Sequence, residues 1–154
     1  PLFVNKKDVS EAIRSLEVSS YVSEIAALEC VRTQLVKHQQ VMGEKGGVVL
    51  DGRDTGTVVF PNAELKLFIT ADPEIRANRR YLELKAKDPN VSLEAIKENL
   101  KHRDLIDTTR KIGPLIQAED AIVIDNSFLN QTEQFELALS YFKKAVEASA
   151  SISS

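Results

Sequence analysis

The chain has 154 residues, a formal net charge of −3 at pH 7 and a single cysteine, Cys30. One domain with a buried core is expected at this length, and the acidic balance argues against a general polyanion binder. The single cysteine excludes an internal disulfide, and no apolar run approaches the roughly 18 residues of a membrane span, so a reducing, cytoplasmic location away from membranes is expected.

The first third of the chain is predicted to contain two strands and two helices. Residues 2–4 followed by 8–11 are typical of a strand that leads into a helix with capping-box spacing. A longer helix is expected over about 20–42, because apolar residues recur there at helical spacing and a glycine-rich turn follows. Residues 48–50 are expected to form a short buried strand that ends at Asp51.

The rest of the chain continues this alternation. The predicted elements are a strand over 65–71, a helix to about 87, a helix over 92–107, a strand over 121–124 that ends at Asp125, and a helix capped by Thr132 that reaches about 148. Asp72 and Pro73 mark the first of these helices, as an N-cap acceptor and a first-turn proline. Residues 149–154 are predicted to be a disordered tail. Alternating strands and helices predict an α/β fold with a parallel sheet.

Charged residues follow directly on the apolar segment 48–50, in the order Asp-Gly-Arg-Asp from position 51. Ligands of an open parallel sheet bind just beyond the carboxyl ends of its strands. Asp51, Arg53 and Asp54 are therefore predicted to contact a polar, phosphorylated substrate. Asp51 is in addition a candidate for binding Mg²⁺ through water, as such acids do in phosphoryl transfer, and the alternative is a helix or turn cap.

The helix after Ser92 carries an apolar stripe that changes into charges. Its members are spaced by three and four residues: Leu93, Ile96, Leu100, Arg103, Asp107 and Arg110. A face that begins in the core and ends in charges indicates a pocket at its end. The alternative is a helix that emerges into solvent, with Arg103 and Asp107 as a surface pair.

Three arginines lie close together on the helix after Asp72: Arg76, Arg79 and Arg80. Like charges at this spacing cost about 0.2–0.5 kcal/mol per pair, a cost that an anionic ligand would remove. The alternative is a solvated basic face balanced by Glu74 and Glu83.

Two further residues are candidates for the site, and one spacing of glycines is rejected as a phosphate-binding loop. Ser23 and Arg32 share a face with apolar positions, a pattern that is ordinary in isolation. Gly47 and Gly52 have the spacing of a phosphate-binding loop, but the Lys and Ser/Thr that such a loop requires do not follow. The 154 residues contain no complete motif of this kind.

The segment from Asp51, Asp-Gly-Arg-Asp-x-Gly-Thr-Val-Val-Phe-Pro, resembles the signature segment of bacterial cytidylate kinases. The similarity spans about residues 3–147. Shorter matches fall in the family's order at 8–14, 22–26, 31–32, 76–80 and 103–110. The resemblance implies transfer of a phosphoryl group from ATP to CMP or dCMP with Mg²⁺, by a parallel sheet wrapped by helices as in the nucleoside monophosphate kinases with a P-loop.

The resemblance also implies a division of the chain into regions. Residues 1–42 correspond to the monophosphate-binding region, 43–75 with 105–148 to the α/β core, and 76–104 to the lid. Family members carry a further upstream segment with the P-loop and a central strand of the sheet. The P-loop strand is therefore expected to be missing here, which would leave the sheet incomplete.

Substrate contacts follow from the same resemblance. Ser23, Arg32 and Asp54 are similar to the residues that read cytosine. Arg103 and Asp107 are similar to those near the ribose.

The remaining roles concern the phosphates. Arg53 and Arg110 are similar to contacts to CMP and its phosphate, and with Asp51 they form the expected catalytic set. Asp51 corresponds to the acid that closes the strand and binds the metal through water. The three lid arginines, which are expected to face ATP, are Arg76, Arg79 and Arg80.

Three hypotheses follow. The chain is expected to be the carboxyl-terminal two thirds of a cytidylate kinase, inactive alone, whose exposed strand edges invite self-association or an amino-terminal segment in trans. The alternative is a non-catalytic CMP-binding remnant or interaction module. A nucleic-acid binder is disfavoured, since the chain is acidic and has no aromatic platform.

Overall fold

A computed structural model describes residues 1–152 of the chain. Within them, the helices are α1 (Leu16–Ala27), α2 (Glu29–Gly43), α3 (Pro73–Lys85), α4 (Leu93–Thr109) and α5 (Gln131–Ile152). The strands are β1 (Phe3–Val4), β2 (Lys7–Asp8), β3 (Leu67–Thr70) and β4 (Ile122–Asp125). None of these helices is both long and apolar enough to cross a membrane.

The parallel sheet consists of β3 and β4 within residues 1–152, with Leu67 opposite Ile122 and Thr70 opposite Asp125. Parallel neighbours need a long crossover connection, which α3 and α4 provide here. This mixture of helices with a small parallel sheet is consistent with a kinase-like α/β fold.

The amino-terminal strand does not lead into a helix as predicted. It pairs with β2 in an antiparallel hairpin, whose two turn residues, Asn5 and Lys6, have φ angles of 50° and 67°. The carboxylate of Asp8 accepts a hydrogen bond from the backbone N–H of Ser10 at 2.9 Å, so this residue closes a local turn. The capping role belongs to Ser15, which begins α1.

The single helix predicted over 20–42 is two helices separated at Leu28, where ψ is 127°. Leu28 acts as the N-cap of α2, and its carbonyl accepts the first helical hydrogen bond from Arg32 at 2.9 Å. The break lets α1 pack against α4 while α2 packs against a π-helical turn, Thr55–Val59. Tertiary packing therefore overrides the continuous helical periodicity of this segment.

The short buried strand predicted over 48–50 is wrong, because these residues form no strand and are exposed, with Val49 exposed by 96%. Neither β3 nor β4 pairs with this segment within residues 1–152. An extended segment gains strand structure only when a neighbour satisfies its backbone groups. Asp51 consequently lies in an exposed loop and does not close a strand.

The helix starts predicted at Asp72 and Ser92 are confirmed. Asp72 caps α3 by accepting from the backbone N–H groups of Glu74 and Ile75 at 2.8 and 3.2 Å. Ser92 caps α4 by accepting from Ala95 at 3.0 Å.

The last helix differs from its prediction at both ends. Its cap is Asn130, whose side chain accepts from the N–H of Glu133 at 3.0 Å, while Thr132 lies inside the helix. The helix continues to Ile152, so the disordered tail is wrong for 149–152, where no glycine or proline interrupts the helix. Residues 153 and 154 lie outside the described residues.

A small apolar core joins α3 and α4 around Ala77, Leu84 and Ile96, and Leu16 at the start of α1 packs against it. Packing of α4 on both α1 and α3 fixes the direction of α4. As a result, the carboxyl-terminal end of α4 lies beside α1, α2 and the loop that contains Asp54.

Candidate functional site

A cleft of about 200 Å³ lies between α1, α2, the loop at 52–55 and the end of α4. Seven of the residues selected from the sequence line it together: Ser23, Arg32, Arg53, Asp54, Arg103, Asp107 and Arg110. The structure thus collects on one surface side chains that are widely separated along the chain.

Asp54 is the carboxylate at the centre of the cleft and is only 5% exposed. It forms a buried ion pair with the Nη2 of Arg32, which also accounts for the burial of that arginine in α2. The Nη2 of Arg110 lies 3.8 Å from the other carboxylate oxygen, Oδ1. One buried carboxylate is therefore shared by two guanidinium groups.

Asp107 is the second buried carboxylate and lies one helical turn before Arg110. Its Oδ1 is 3.5 Å from the Nη1 of Arg110, and its Oδ2 accepts a hydrogen bond from the Nε of Arg53 at 3.1 Å. The side chain of Arg53 remains 40% exposed, so its guanidinium can still contact a ligand at the mouth of the cleft.

The cleft has an excess of positive charge and of unused donors. It holds four guanidinium groups and two carboxylates, which leaves two positive charges unbalanced. Three buried donor atoms make no hydrogen bond within the part of the chain that the structure describes: Nε of Arg32, Nε of Arg103 and Nη2 of Arg110. Buried donors without acceptors are costly, so this arrangement suits an anion that supplies acceptor oxygens.

Burial and mutual repulsion lower the pKa of two of these arginines. Removal from solvent is the main cause for both, and repulsion by Arg53 adds to it for Arg103, as repulsion by Arg32 does for Arg110. Arginine stays protonated in proteins, so both remain cations in a site that disfavours their charge. A bound anion would relieve this penalty.

Two residues that support Arg103, Ser19 and Asn99, are not among those predicted from the sequence. The Nη1 of Arg103 donates to the Oγ of Ser19 at 2.8 Å, and that hydroxyl donates to the Oδ1 of Asn99 at 2.9 Å. Ser19 lies four residues before Ser23, and Asn99 lies four before Arg103. Helical spacing from the selected residues could have identified both.

Gly113 is a third missed residue. Its φ of 57° belongs to the left-handed region, and a Cβ at this position would overlap the carboxylate of Asp54. Its carbonyl accepts a hydrogen bond from the Nε of Arg110 at 2.6 Å. A single glycine beyond a helix end gives no sequence signal for this close approach.

One wall of the cleft, formed by α1 and α2, carries apolar side chains beside Ser23 and Arg32. Val22 and Ala26 from α1 and Leu35 from α2 line it, together with the amide side chain of Gln39. The cleft therefore combines an apolar wall with a cationic one. This combination suits a flat ring that carries a phosphate group.

Asp51 and the α3 arginines do not line this cleft. Asp51 is exposed and makes no hydrogen bond or ion pair with the rest of residues 1–152. Arg76 forms a bidentate pair with Asp104, at 2.7 and 3.0 Å, and the hydrogen bond from this carboxylate raises the pKa of Arg76.

The other two α3 arginines also bind protein groups. Arg80 pairs with Glu83 at 2.8 Å and donates to the carbonyl of Arg14 at 2.6 Å. Arg79 binds oxygens of the segment after β4, which belong to Asn126, Ser127 and Leu129.

Within residues 1–152, no three His, Cys, Asp or Glu side chains come together as a metal site. Asp51 supplies one carboxylate. In proteins, Mg²⁺ retains several waters and is often bound by only one or two carboxylates together with substrate phosphates. Asp51 therefore fits a Mg²⁺ ion only if the phosphates of a substrate supply the other ligands.

A family model for cytidylate kinase matches residues 1–144. The chain belongs to the cytidylate kinase family. Its resemblance to that family in sequence is thus confirmed, and the cleft described above lies wholly within the matched residues.

Curated relatives agree with this assignment. The chain is 55% identical over 144 residues to a cytidylate kinase of Phocaeicola vulgatus, which covers 94% of the chain and 63% of that relative. It is 52% identical over 146 residues to a cytidylate kinase of Bacteroides fragilis, covering 95% of the chain and 64% of the relative. It therefore spans a little under two thirds of the length of these relatives.

Proposed function

We propose that this chain supplies the CMP-binding part of a cytidylate kinase, which transfers the γ-phosphoryl group of ATP to CMP or dCMP. The observation that carries this proposal is the cleft in which three buried donors, on Arg32, Arg103 and Arg110, have no acceptor within residues 1–152 although two buried carboxylates lie beside them. Membership of the cytidylate kinase family supports a phosphotransferase.

The apolar wall and the Arg32–Asp54 pair support binding of the base. Cytosine offers an exocyclic amino donor next to ring and carbonyl acceptors, and the group formed by Ser23, Arg32 and Asp54 contains both donors and acceptors. A carboxylate can accept from the amino group, whereas a guanidinium and a hydroxyl can donate to the acceptors.

The cationic wall supports binding of the sugar and phosphate. Arg103 and Asp107 lie at the proposed ribose position, and Arg53 and Arg110 bind the phosphate. Phosphoryl transfer needs positioning and neutralisation of charge more than covalent help, so these arginines hold the acceptor phosphate and balance the charge that develops on it. We assign Arg53 and Arg110 to the catalytic set on this basis, and we add Asp51, which lies outside the cleft, because of its place in the family's signature segment.

For the ATP side of the reaction, the proposal concerns the lid and Mg²⁺. The lid is assigned to residues 76–104, between the monophosphate-binding region at 1–42 and the core at 43–75 and 105–148. Its three arginines would exchange their present protein partners for ATP phosphates: Arg76, Arg79 and Arg80. Mg²⁺ held by those phosphates would neutralise their charge, with Asp51 contacting it through water.

We further propose that the 154-residue chain is inactive alone in the cytoplasm. Its sequence contains no phosphate-binding loop motif, and its relatives are longer. Activity would need a phosphate-binding loop from outside these residues. The open edges of the sheet would pair with an amino-terminal segment or with a second copy, since β3 and β4 are each paired on one edge only within residues 1–152.

A second candidate is a CMP-binding module without catalysis. The exposed position of Asp51 favours it, because the cleft forms without this carboxylate.

Calorimetric titration of the chain with CMP, followed by a coupled assay with CMP, ATP and Mg²⁺, tests both candidates. We expect CMP to bind and no turnover to occur. If CMP does not bind, the cleft is not a nucleotide site and both candidates are wrong. Turnover by the chain alone would contradict the proposed inactivity and exclude the non-catalytic module.

A further inference from the structure

Gln39 is a half-buried amide on the α2 wall of the cleft. It makes no hydrogen bond to the part of the chain that the structure describes, although its amide offers two donors and one acceptor. The adjacent Gln40 differs, since its amide donates to the carbonyl of Val59 at 3.3 Å. Gln39 thus faces the cleft with its hydrogen-bonding capacity unused.

The position of Gln39 on α2 associates this residue with the base of a bound nucleoside monophosphate rather than with its phosphate. Gln39 follows Arg32 by seven residues, two helical turns on the same face of α2, and Leu35 lies between them on the wall. The guanidinium groups of Arg103 and Arg110 come instead from α4 and the residue that ends it. A planar ring that packs against Leu35 would lie between Arg32 and Gln39 along this face of α2.

We propose that Gln39 is a base-contacting residue of this cleft. It hydrogen-bonds the nucleobase of the bound monophosphate, whereas Arg32 is held by Asp54. The inference rests on the proposed function, because it requires a nucleoside monophosphate in the cleft. It adds a contact that helps to distinguish a complete nucleotide from its sugar phosphate.

The test compares Gln39→Leu with the unaltered chain by NMR titration with CMP and with ribose 5-phosphate, which lacks the base. Leucine leaves an aliphatic side chain of similar size and removes the amide. We expect CMP affinity to fall about 3- to 10-fold, as for the loss of one hydrogen bond, with ribose 5-phosphate affinity unchanged. Gln34→Leu is the matched control, because Gln34 is an exposed residue of the same helix outside this cleft.

Each outcome is decisive. Unchanged CMP affinity in Gln39→Leu, or an equal fall for both ligands, would overturn the base contact while leaving the proposed function intact. If the unaltered chain binds CMP no better than ribose 5-phosphate, the proposed cytosine site and this inference both fail. Thermal unfolding of both variants should give the same Tm as the unaltered chain, and a large fall for Gln39→Leu alone would indicate a structural role instead.

Discussion

Two groups of arginines in this molecule differ in how completely their donors are used. Those of the cleft surround two buried carboxylates, and Arg32, Arg103 and Arg110 each retain a buried donor that finds no acceptor within residues 1–152. Those of α3 find acceptors in the protein, in side chains for Arg76 and mainly in backbone carbonyls for Arg79.

The difference shows that clustering of arginine along a helix does not by itself indicate an anion site. The α3 group is the denser cluster in sequence, yet the structure connects its members to neighbouring elements. The cleft group comes from α2, a loop and the end of α4, and its members line one cleft. Unused donors in a buried site, rather than local charge density, identify the surface that suits an anion.

The largest expected effect concerns the buried carboxylate. Asp54→Ala leaves Arg32 and Arg110 without their shared partner, so the free energy of unfolding should fall by about 3–5 kcal/mol. Asp104→Ala is the matched control, since it removes a pair whose side chains are 34% and 37% exposed and should cost about 1 kcal/mol or less. Urea unfolding measures both, and equal losses would contradict the contrast between the two groups.

Ligand affinity should separate the same groups. Arg110→Lys keeps the charge but loses the planar set of donors, so CMP affinity should fall by about 1.5–3 kcal/mol, roughly 10- to 100-fold. Arg79→Lys, in the α3 group, should leave CMP affinity unchanged. Calorimetry tests this, and a comparable loss in Arg79→Lys would mean that the α3 group contacts the monophosphate.

Gly113 allows the geometry of the cleft to be tested without a change of charge. Gly113→Ala should cost about 1–2 kcal/mol for the left-handed backbone, and more because its Cβ overlaps the Asp54 carboxylate. Gly46→Ala is the control, with a φ of 68° and no atom within 4 Å of the added Cβ. The difference in unfolding free energy between the two variants isolates the contact with Asp54, and no difference would show that the cleft adapts.

The smallest expected effect is a pH dependence of the stability, which arises near the loop that Arg79 binds. Hydrogen bonds from the hydroxyl and then the backbone N–H of Ser127 lower the pKa of Asp125. The pKa of Asp125 in the folded protein lies below its value of about 3.9 in the unfolded chain. The ionised carboxylate therefore stabilises the fold fully above the unfolded pKa, and this stabilisation is lost as the pH falls through the folded pKa.

Ser127→Ala removes the principal cause of that shift, so Tm should fall less steeply below about pH 4 than in the unaltered chain. Thermal unfolding between pH 5 and pH 2 measures this slope. An unchanged slope would show that this loop does not depend on the hydrogen bonds of Asp125.

Local chemistry explains the elements that were predicted correctly. The caps of α3 and α4 depend on residues within three positions of the helix start, and the stripe from Leu93 to Arg110 depends only on helical spacing. In contrast, the break at Leu28 and the exposure of Val49 depend on what packs beside them. The sequence pattern around Leu28 favoured one longer helix, and the pattern around Val49 favoured a buried strand. Both expectations were wrong.

The sequence by itself determined the family, the starts of α3 and α4 and the choice of charged residues that end an apolar face, because motifs, caps and helical periods are properties of neighbouring positions. Only the tertiary structure decided which arginines keep unused donors, why position 113 needs glycine and where Gln39 faces. These features depend on distances between segments that are far apart in the chain. The packing of other elements decides which acceptors come near a buried guanidinium, and therefore whether all its donors form hydrogen bonds.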